Sequence, residues 1–313
     1  MTKIAIVGGT GAIGEVLTHR LVNSNLPIEK IVLIGRRQDK AKGKTLDFED
    51  ASIITQSSTE ISYSDDYEAV EDAKIVVMTA GQIRTEKMQR EDLLRQNALI
   101  ISGVGQAIRK KASSAFIIVV TNPLDNMTAH MHNVVDGPPE KICGMAAQLD
   151  SARFTKAIAE EFAVEPEAVS NAMVFGEHGP SMVPVFSQVR IKGEPITVTE
   201  EQQERIRKRV QGAGAQIIGL LKTGGATQGP AAGIQSIIES HLHPKGKIIP
   251  SAALFRGEYG IKDVFMGAAT YIDRDGVKII KTPLSPSEAG LLHMSAYTIK
   301  KTNAALDLAL QHS

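Results

Sequence analysis

Five short segments of this sequence carry residues whose types and spacing could do chemistry. The first is Gly8-Gly9-Thr10-Gly11-Ala12-Ile13-Gly14, which follows an apolar run and leads at once into a helical pattern. Within it, Gly9-Thr10-Gly11-Ala12-Ile13-Gly14 has the glycine spacing that lets a chain turn tightly and brings backbone N–H groups against a pyrophosphate. The following helix adds the positive end of its dipole. The second is Gly176-Glu177-His178-Gly179, after the strand-like run Ala172-Met-Val-Phe175. An imidazole at such a turn could face a cleft, and imidazole exchanges protons best near neutral pH. The third is a helix start that puts Asp150 and Arg153 one turn apart on one face. A carboxylate that can orient an imidazolium and a guanidinium that can grip a carboxylate in two bonds could then serve one site. The fourth is a polar stretch bracketed by Arg84 and Arg90, between a strand end and a helix start. The last is Thr121-Asn-Pro-Leu-Asp125, in which Asn122 precedes a proline. Hydride reduction of a ketone, with a histidine supplying the proton, is a reaction these types suit.

Each segment also has a plainer reading. Glycines make turns, Asp150 could cap a helix, Arg153 could form an ion pair with Asp150, and Asn122 could favour a turn before proline. His178 is one of eight histidines, and a lone histidine is more often structural. A second spacing of the same glycines, Gly8, Gly11 and Gly14, fits the short-chain reductases. Those need a Tyr-x-x-x-Lys pair just after the nucleotide half, and here that spacing occurs only at Tyr297 and Lys301, near the end of the last helix.

The choice of nucleotide is written in the second strand. An NAD site ordinarily ends that strand in an acid that binds the ribose hydroxyls, about twenty residues past the glycines. Here Ile31-Val-Leu-Ile34 runs into Gly35-Arg36-Arg37. Without the acid a 2′-phosphate meets no like charge, and a guanidinium can bind it in fork geometry. The expectation is NADP before NAD, with Gly35, Arg36 and Arg37 at the adenine ribose.

The elements that must position these residues alternate in the first half. Short Val/Ile-rich runs at 3–8, 30–35, 59–63, 74–79, 115–121 and 141–143 read as strands buried on both faces. Helical patterns at 12–24, 39–51, 90–112 and 123–134 lie between them. This is the pattern of an α/β, Rossmann-type doubly wound parallel sheet. After about residue 145 longer helices appear, near 150–163, 200–222, 229–241 and 286–311, separated by turn signals such as Lys192-Gly193, Arg256-Gly257 and Asp275-Gly276. The reading is a dinucleotide-binding domain over 1–144 followed by an α+β substrate domain over 145–313, with the site between them.

Composition narrows the class. Lys plus Arg and Asp plus Glu both number 35, so no overall field recruits nucleic acid or an acidic membrane. The only cysteine is Cys143, so no internal disulfide forms. Lys3–Val7 reads as a strand rather than a leader, and no apolar run approaches a membrane span. A cytoplasmic protein with neither nucleic-acid nor membrane partners is expected. His241 and His243 are too close together and too isolated for a convincing metal site.

Taken together and in this order, the five segments resemble the lactate/malate dehydrogenase family over nearly the whole chain, and the second strand is most similar to its archaeal malate dehydrogenase branch. The resemblance implies that His178 is the acid/base and that Asp150 orients it. It makes Arg153 the grip on the substrate carboxylate, and it makes the stretch from Arg84 to Arg90 a closing lid in which Arg90 polarises the reacting carbonyl. The six-residue step from Arg84 to Arg90 is the family spacing. It places Arg84 where an arginine accompanies malate and oxaloacetate and a glutamine accompanies lactate and pyruvate. Gln82 would face the substrate instead if the loop register were shifted. Asn97, Thr121 and Asn122 join the cofactor-binding candidates, and Asn122 is also a candidate substrate ligand. Thr227, in Thr223-Gly-Gly-Ala-Thr-Gln-Gly-Pro230, is a further pocket candidate. The implied activity is reversible hydride transfer between L-malate and oxaloacetate, with lactate dehydrogenase as the nearer alternative and a non-catalytic nucleotide sensor or scaffold as the other. A homodimer or homotetramer is implied as well.

Overall fold

The structure, a computed structural model, describes residues 2–82 and 90–311. In the first half, strands β1 (Lys3–Val7), β2 (Lys30–Ile34), β3 (Glu60–Ser64), β4 (Ile75–Met78), β5 (Phe116–Val119) and β6 (Ile142–Gly144) alternate with helices. Those helices are α1 (Ala12–Val22), α2 (Gln38–Thr55), α3 (Arg90–Lys111) and α4 (Leu124–Val135). The strands pair in parallel in the order β3-β2-β1-β4-β5-β6. Period-two geometry divides each strand between two cores. Ile4, Ile6, Ile31, Leu33, Phe116 and Ile118 face one core with α1. Ala5, Val7, Val32, Ile34, Ile117 and Val119 face the other with α3 and α4. Both faces are therefore dry, as the near-continuous apolar runs require. Helix α3 carries Glu91 and Asp92 in its first turn and Arg109, Lys110 and Lys111 in its last, which complements its dipole at both ends.

The second half holds α5 (Ala147–Glu161), β7 (Val169–Ser170), β8 (Met173–Gly176), β9 (Met182–Val185), β10 (Arg190–Ile191) and β11 (Glu194–Pro195). It continues with α6 (Glu200–Leu221), α7 (Gln228–Leu242), β12 (Ser251–Arg256), β13 (Lys262–Ala268), β14 (Thr270–Asp273), β15 (Gly276–Ile279) and α8 (Pro286–Gln311). Its main strands do not form a separate sheet. They extend the first one in the order β6-β12-β13-β8-β9, all antiparallel, so ten strands run in one sheet. The junction is the single pairing of Ala252 with Gly144. A Cβ on Gly144 would come within 2.9 Å of the Ala252 Cβ, so only glycine admits that approach. Helix α7 packs back on α1, tied by a bond from Arg20 Nε to Gln235 Oε1 of 2.8 Å. β7, β10 and β11 form one small sheet, and β14 and β15 a hairpin.

Candidate active site

The glycine turn joins β1 to α1. Gly8 has φ +84, and a Cβ there would lie 2.6 Å from the Ala80 backbone nitrogen, so the chain passes β4 as only glycine can. Gly11 caps α1 with extended backbone and offers no side chain to the first N–H groups, which stay available to an anion. A cleft of about 500 Å³ opens there, and Gly8, Thr10, Gly11, Gly35, Arg36 and Arg37 are among its walls. Arg36 and Arg37 are exposed at its edge. Gly35 stands against Thr10, and a Cβ at 35 would meet Thr10 Oγ1 at 2.8 Å. Thr10 thus leaves no room for a side chain at position 35. These residues fit a dinucleotide: backbone donors at a helix start, a cleft to hold it, and two exposed cations at its edge.

A second cluster forms around His178. Asp150 lies inside the first turn of α5, because the helix starts three residues before it, so its carboxylate is not the cap. The carboxylate is buried. Its Oδ2 meets His178 Nδ1 at 2.7 Å, and its Oδ1 accepts from Arg153 Nη1 at 3.2 Å. His178 keeps a quarter of its side chain exposed. Burial alone would push its imidazolium down. The charge and hydrogen bond of Asp150, with Asp125 adding, outweigh that and hold the ring above its ordinary pKa, although Arg153 subtracts. Arg153 is flanked by α6 at Gly214, where a Cβ would lie 3.8 Å from its Nη2.

The backbone that carries His178 is fixed from two sides. The Glu177 N–H donates to Ser295 Oγ of α8 at 2.7 Å, and the His178 N–H donates to Asp125 Oδ2 of α4 at 2.7 Å. Glu177 Oε2 in turn accepts from Ser181 Oγ at 2.5 Å. Sequence reasoning assigned no role to Asp125. An aspartate in the first turn of a helix ordinarily signals only a dipole partner, and nothing in its neighbours along the chain announces burial under a histidine.

Between the two clusters, Asn122 is exposed, and its carbonyl accepts from Asn97 Nδ2 at 2.7 Å. Asn97 is buried, and its Oδ1 takes the Gln82 N–H at 2.7 Å. Thr121 Oγ1 donates to the Ala80 carbonyl at 2.7 Å. Asn97 and Thr121 therefore hold the loops at the cleft, while Asn122 presents a side chain. Arg84 lies outside the described residues, and of Arg90 only its place as the first residue of α3 is described. Thr227 immediately precedes α7 and makes no capping bond with its side chain. Tyr297 is exposed on α8, away from any role in a reductase pair.

Comparison with known proteins gives a consistent relationship along the chain. Residues 2–144 match the family described as lactate/malate dehydrogenase, NAD binding domain. Residues 147–306 match lactate/malate dehydrogenase, alpha/beta C-terminal domain. Among solved structures, the malate dehydrogenase of Plasmodium falciparum is 33% identical, with 98% of this chain and 99% of that one covered and a TM-score of 0.91. The lactate dehydrogenase of Cryptosporidium parvum, solved with lactic acid and β-nicotinamide adenine dinucleotide, is 34% identical, with 98% of each chain covered and a TM-score of 0.91. The malate dehydrogenase of Picrophilus torridus, in its apo form, is 31% identical, with 100% and 99% covered and a TM-score of 0.90. Identity is nearly the same to malate and to lactate enzymes, so it does not choose the substrate.

Proposed function

We infer that this chain, which belongs to the lactate/malate dehydrogenase family, interconverts L-malate and oxaloacetate and takes NADP(H) in preference to NAD(H). The observation that carries the catalytic part is the imidazole of His178 at 2.7 Å from Asp150, with Arg153 on the other oxygen of the same carboxylate. Bound nicotinamide supplies the hydride for the ketone carbon, or accepts it in reverse. His178 gives its proton to the carbonyl oxygen in reduction and takes it back in oxidation. Asp150 keeps the ring oriented and favours its cationic form, since a carboxylate on Nδ1 leaves Nε2 for the substrate. Arg153 binds the carboxylate next to the reacting carbon. Arg90 stabilises negative charge on the reacting oxygen, and Arg84 pairs with the second carboxylate. The support for malate over lactate is Arg84 itself, six residues before Arg90. A second carboxylate entering a closed, poorly hydrated site needs a partner charge.

The cofactor would lie on Gly9, Thr10, Gly11, Ala12, Ile13 and Gly14, with its adenine ribose toward Gly35, Arg36 and Arg37. The relative named with a cofactor carries NAD, so the NADP reading rests on this chain's own residues: glycine at 35, Thr10 against it, and cations at the cleft edge. The test is a two-by-two assay of oxaloacetate and pyruvate with NADPH and NADH. The expected result is fastest turnover of oxaloacetate with NADPH. The NADPH preference should shrink as salt rises, because the arginines are exposed, and should fall about tenfold in Arg36→Ala or Arg37→Ala, the worth of one charge-assisted bond at a screened site. Preference for NADH, unaffected by either substitution, would reverse the assignment. Faster turnover of pyruvate would make the chain a lactate dehydrogenase, and no turnover of either substrate would favour a nucleotide sensor.

The same reading divides the chain into a dinucleotide domain over 1–144 and a substrate domain over 145–313, in a cytoplasmic homodimer or homotetramer. Leu46, Ile53 and Ile54 on α2 and Ile218, Leu220 and Leu221 on α6 are exposed, and covering such side chains by a second copy removes apolar surface from water. The single cysteine is free and buried, which suits a reducing compartment.

A further inference from the structure

A buried carboxylate under His178 has no part in the reaction described so far. Asp125 is 2% exposed. Its Oδ2 accepts the backbone N–H of His178, and its Oδ1 has no hydrogen-bond partner among the described residues. The packing gap around it, lined by Leu124, Asp125, Ala147, Asp150, Phe175 and His178, is too tight for a water molecule. An ionised oxygen left dry and unpaired is costly, so this carboxyl needs a nearby positive charge before it ionises. Among the described residues, the charged groups that face it are His178 and Glu177 on the turn after β8 and Asp150 on α5. Of these only the imidazole can be cationic. Helix α8 reaches the neighbouring residue with a neutral group, the Asn303 side chain on Asn126. Arg153 acts on the imidazole from the far side of Asp150.

We propose that Asp125 is a positioning residue for His178 and that its charge, taken up as the imidazole is protonated, extends the pH range over which His178 holds its proton. Two carboxylates then share one imidazolium: Asp150 on the ring and Asp125 beneath the backbone of the same residue. The acidity of Asp125 agrees with this. Burial pushes its carboxyl up to about 7, against the opposing pull of the His178 N–H and charge, and Glu177 and Asp150 push it the same way as burial. Burial thus moves the Asp125 carboxyl toward neutral pH while Asp150 holds the His178 ring above its ordinary value, and each charge acts on the other, so the two ionisations are coupled. This inference rests on His178 being the proton donor.

Asp125→Asn separates charge from shape, because the amide oxygen can still accept the His178 N–H. Without the charge, His178 holds its proton less tightly. In oxaloacetate reduction, which needs the protonated ring, the alkaline limb of kcat/KM should move to lower pH. In malate oxidation, which needs the neutral ring, the acid limb should move to lower pH as well, each by about one unit. NADPH affinity should not change. Reduction then worsens in mild alkali while oxidation improves in mild acid, an opposite response that a merely weakened fold does not produce. Limbs that coincide with the parent's, or an equal loss at every pH in both directions, overturn the proposal. Asp125→Ser, which also keeps an acceptor, is measured in parallel. If neither variant yields folded protein, Asp125 serves the fold rather than the proton, and the proposal falls. His178→Asn in the same buffers tells the two failures apart. Parent-like turnover there removes the underlying assignment of His178. An inactive His178→Asn beside an unshifted Asp125→Asn removes only the role of Asp125.

Discussion

His178→Asn should lower kcat with oxaloacetate by at least about a hundredfold, the lower end of what general acid catalysis contributes. That is roughly 2.7 kcal/mol of barrier. Asparagine has polar atoms of similar reach but cannot deliver a proton near neutrality. The variant also keeps the backbone N–H that binds Asp125, and Asp150 keeps Arg153 as its partner, so the local fold has reason to survive. Nucleotide binding should be little changed, because the walls of the glycine cleft do not include the 176–179 turn. The measurement is steady-state turnover beside the dissociation constant for NADPH by fluorescence. Near-normal kcat would mean that another group donates the proton. Equal losses of turnover and nucleotide binding would mean that the substitution had damaged the structure instead.

Arg84→Gln should raise KM for oxaloacetate and abolish the preference over pyruvate, a loss of order a hundredfold in discrimination. A substrate carboxylate drawn out of water keeps its charge only if a cation meets it, and a glutamine offers a hydrogen bond but no charge. The expected pattern is selective. Pyruvate turnover should hold or rise while oxaloacetate falls, since the proposed function gives the carboxylate next to the reacting carbon to Arg153. A variant that still prefers oxaloacetate as strongly as the parent would move the second carboxylate to another partner. Gln82 is the first to replace, with residues 223–230 next. Gln82 is the last described residue before position 83, and its N–H is held by Asn97.

Much of this was legible without coordinates, for a physical reason. Val/Ile runs of strand length, buried on both faces, cannot be satisfied by a one-sided sheet, and the alternating helices leave only right-handed crossovers to connect them. The glycine turn is equally local: its spacing, the strand before it and the helix after it lie within one short stretch. The strand at 30–35 and its missing acid could be read the same way. The family resemblance implied the roles proposed for His178, Asp150 and Arg153, which the residue types alone left open. Local pattern was weaker in the second half. There the strands are short and their partners distant, so the α+β unit was legible but not the continuation of the first sheet into it, antiparallel, through Gly144 and Ala252.

What the sequence by itself determined is therefore the set of elements, the kind of sheet, and the residue types available for chemistry, because each is set by periodicity and turn chemistry over a few neighbouring positions. Only the tertiary structure decided which of those residues meet. His178 and Asp150 are 28 residues apart, His178 and Asp125 are 53 apart, and Glu177 and Ser295 are 118 apart. No periodicity links such positions, and their contacts exist because α5 and α8 pack against β8 and the first turn of α4 meets the turn that follows it. The Thr10 hydroxyl beside Gly35 is likewise a contact between the ends of two strands rather than a feature of either. Burial was decided there as well: Asp125 is an ordinary first-turn acid in the chain, and it becomes a dry carboxyl under an imidazole only when the turn after β8 closes over it.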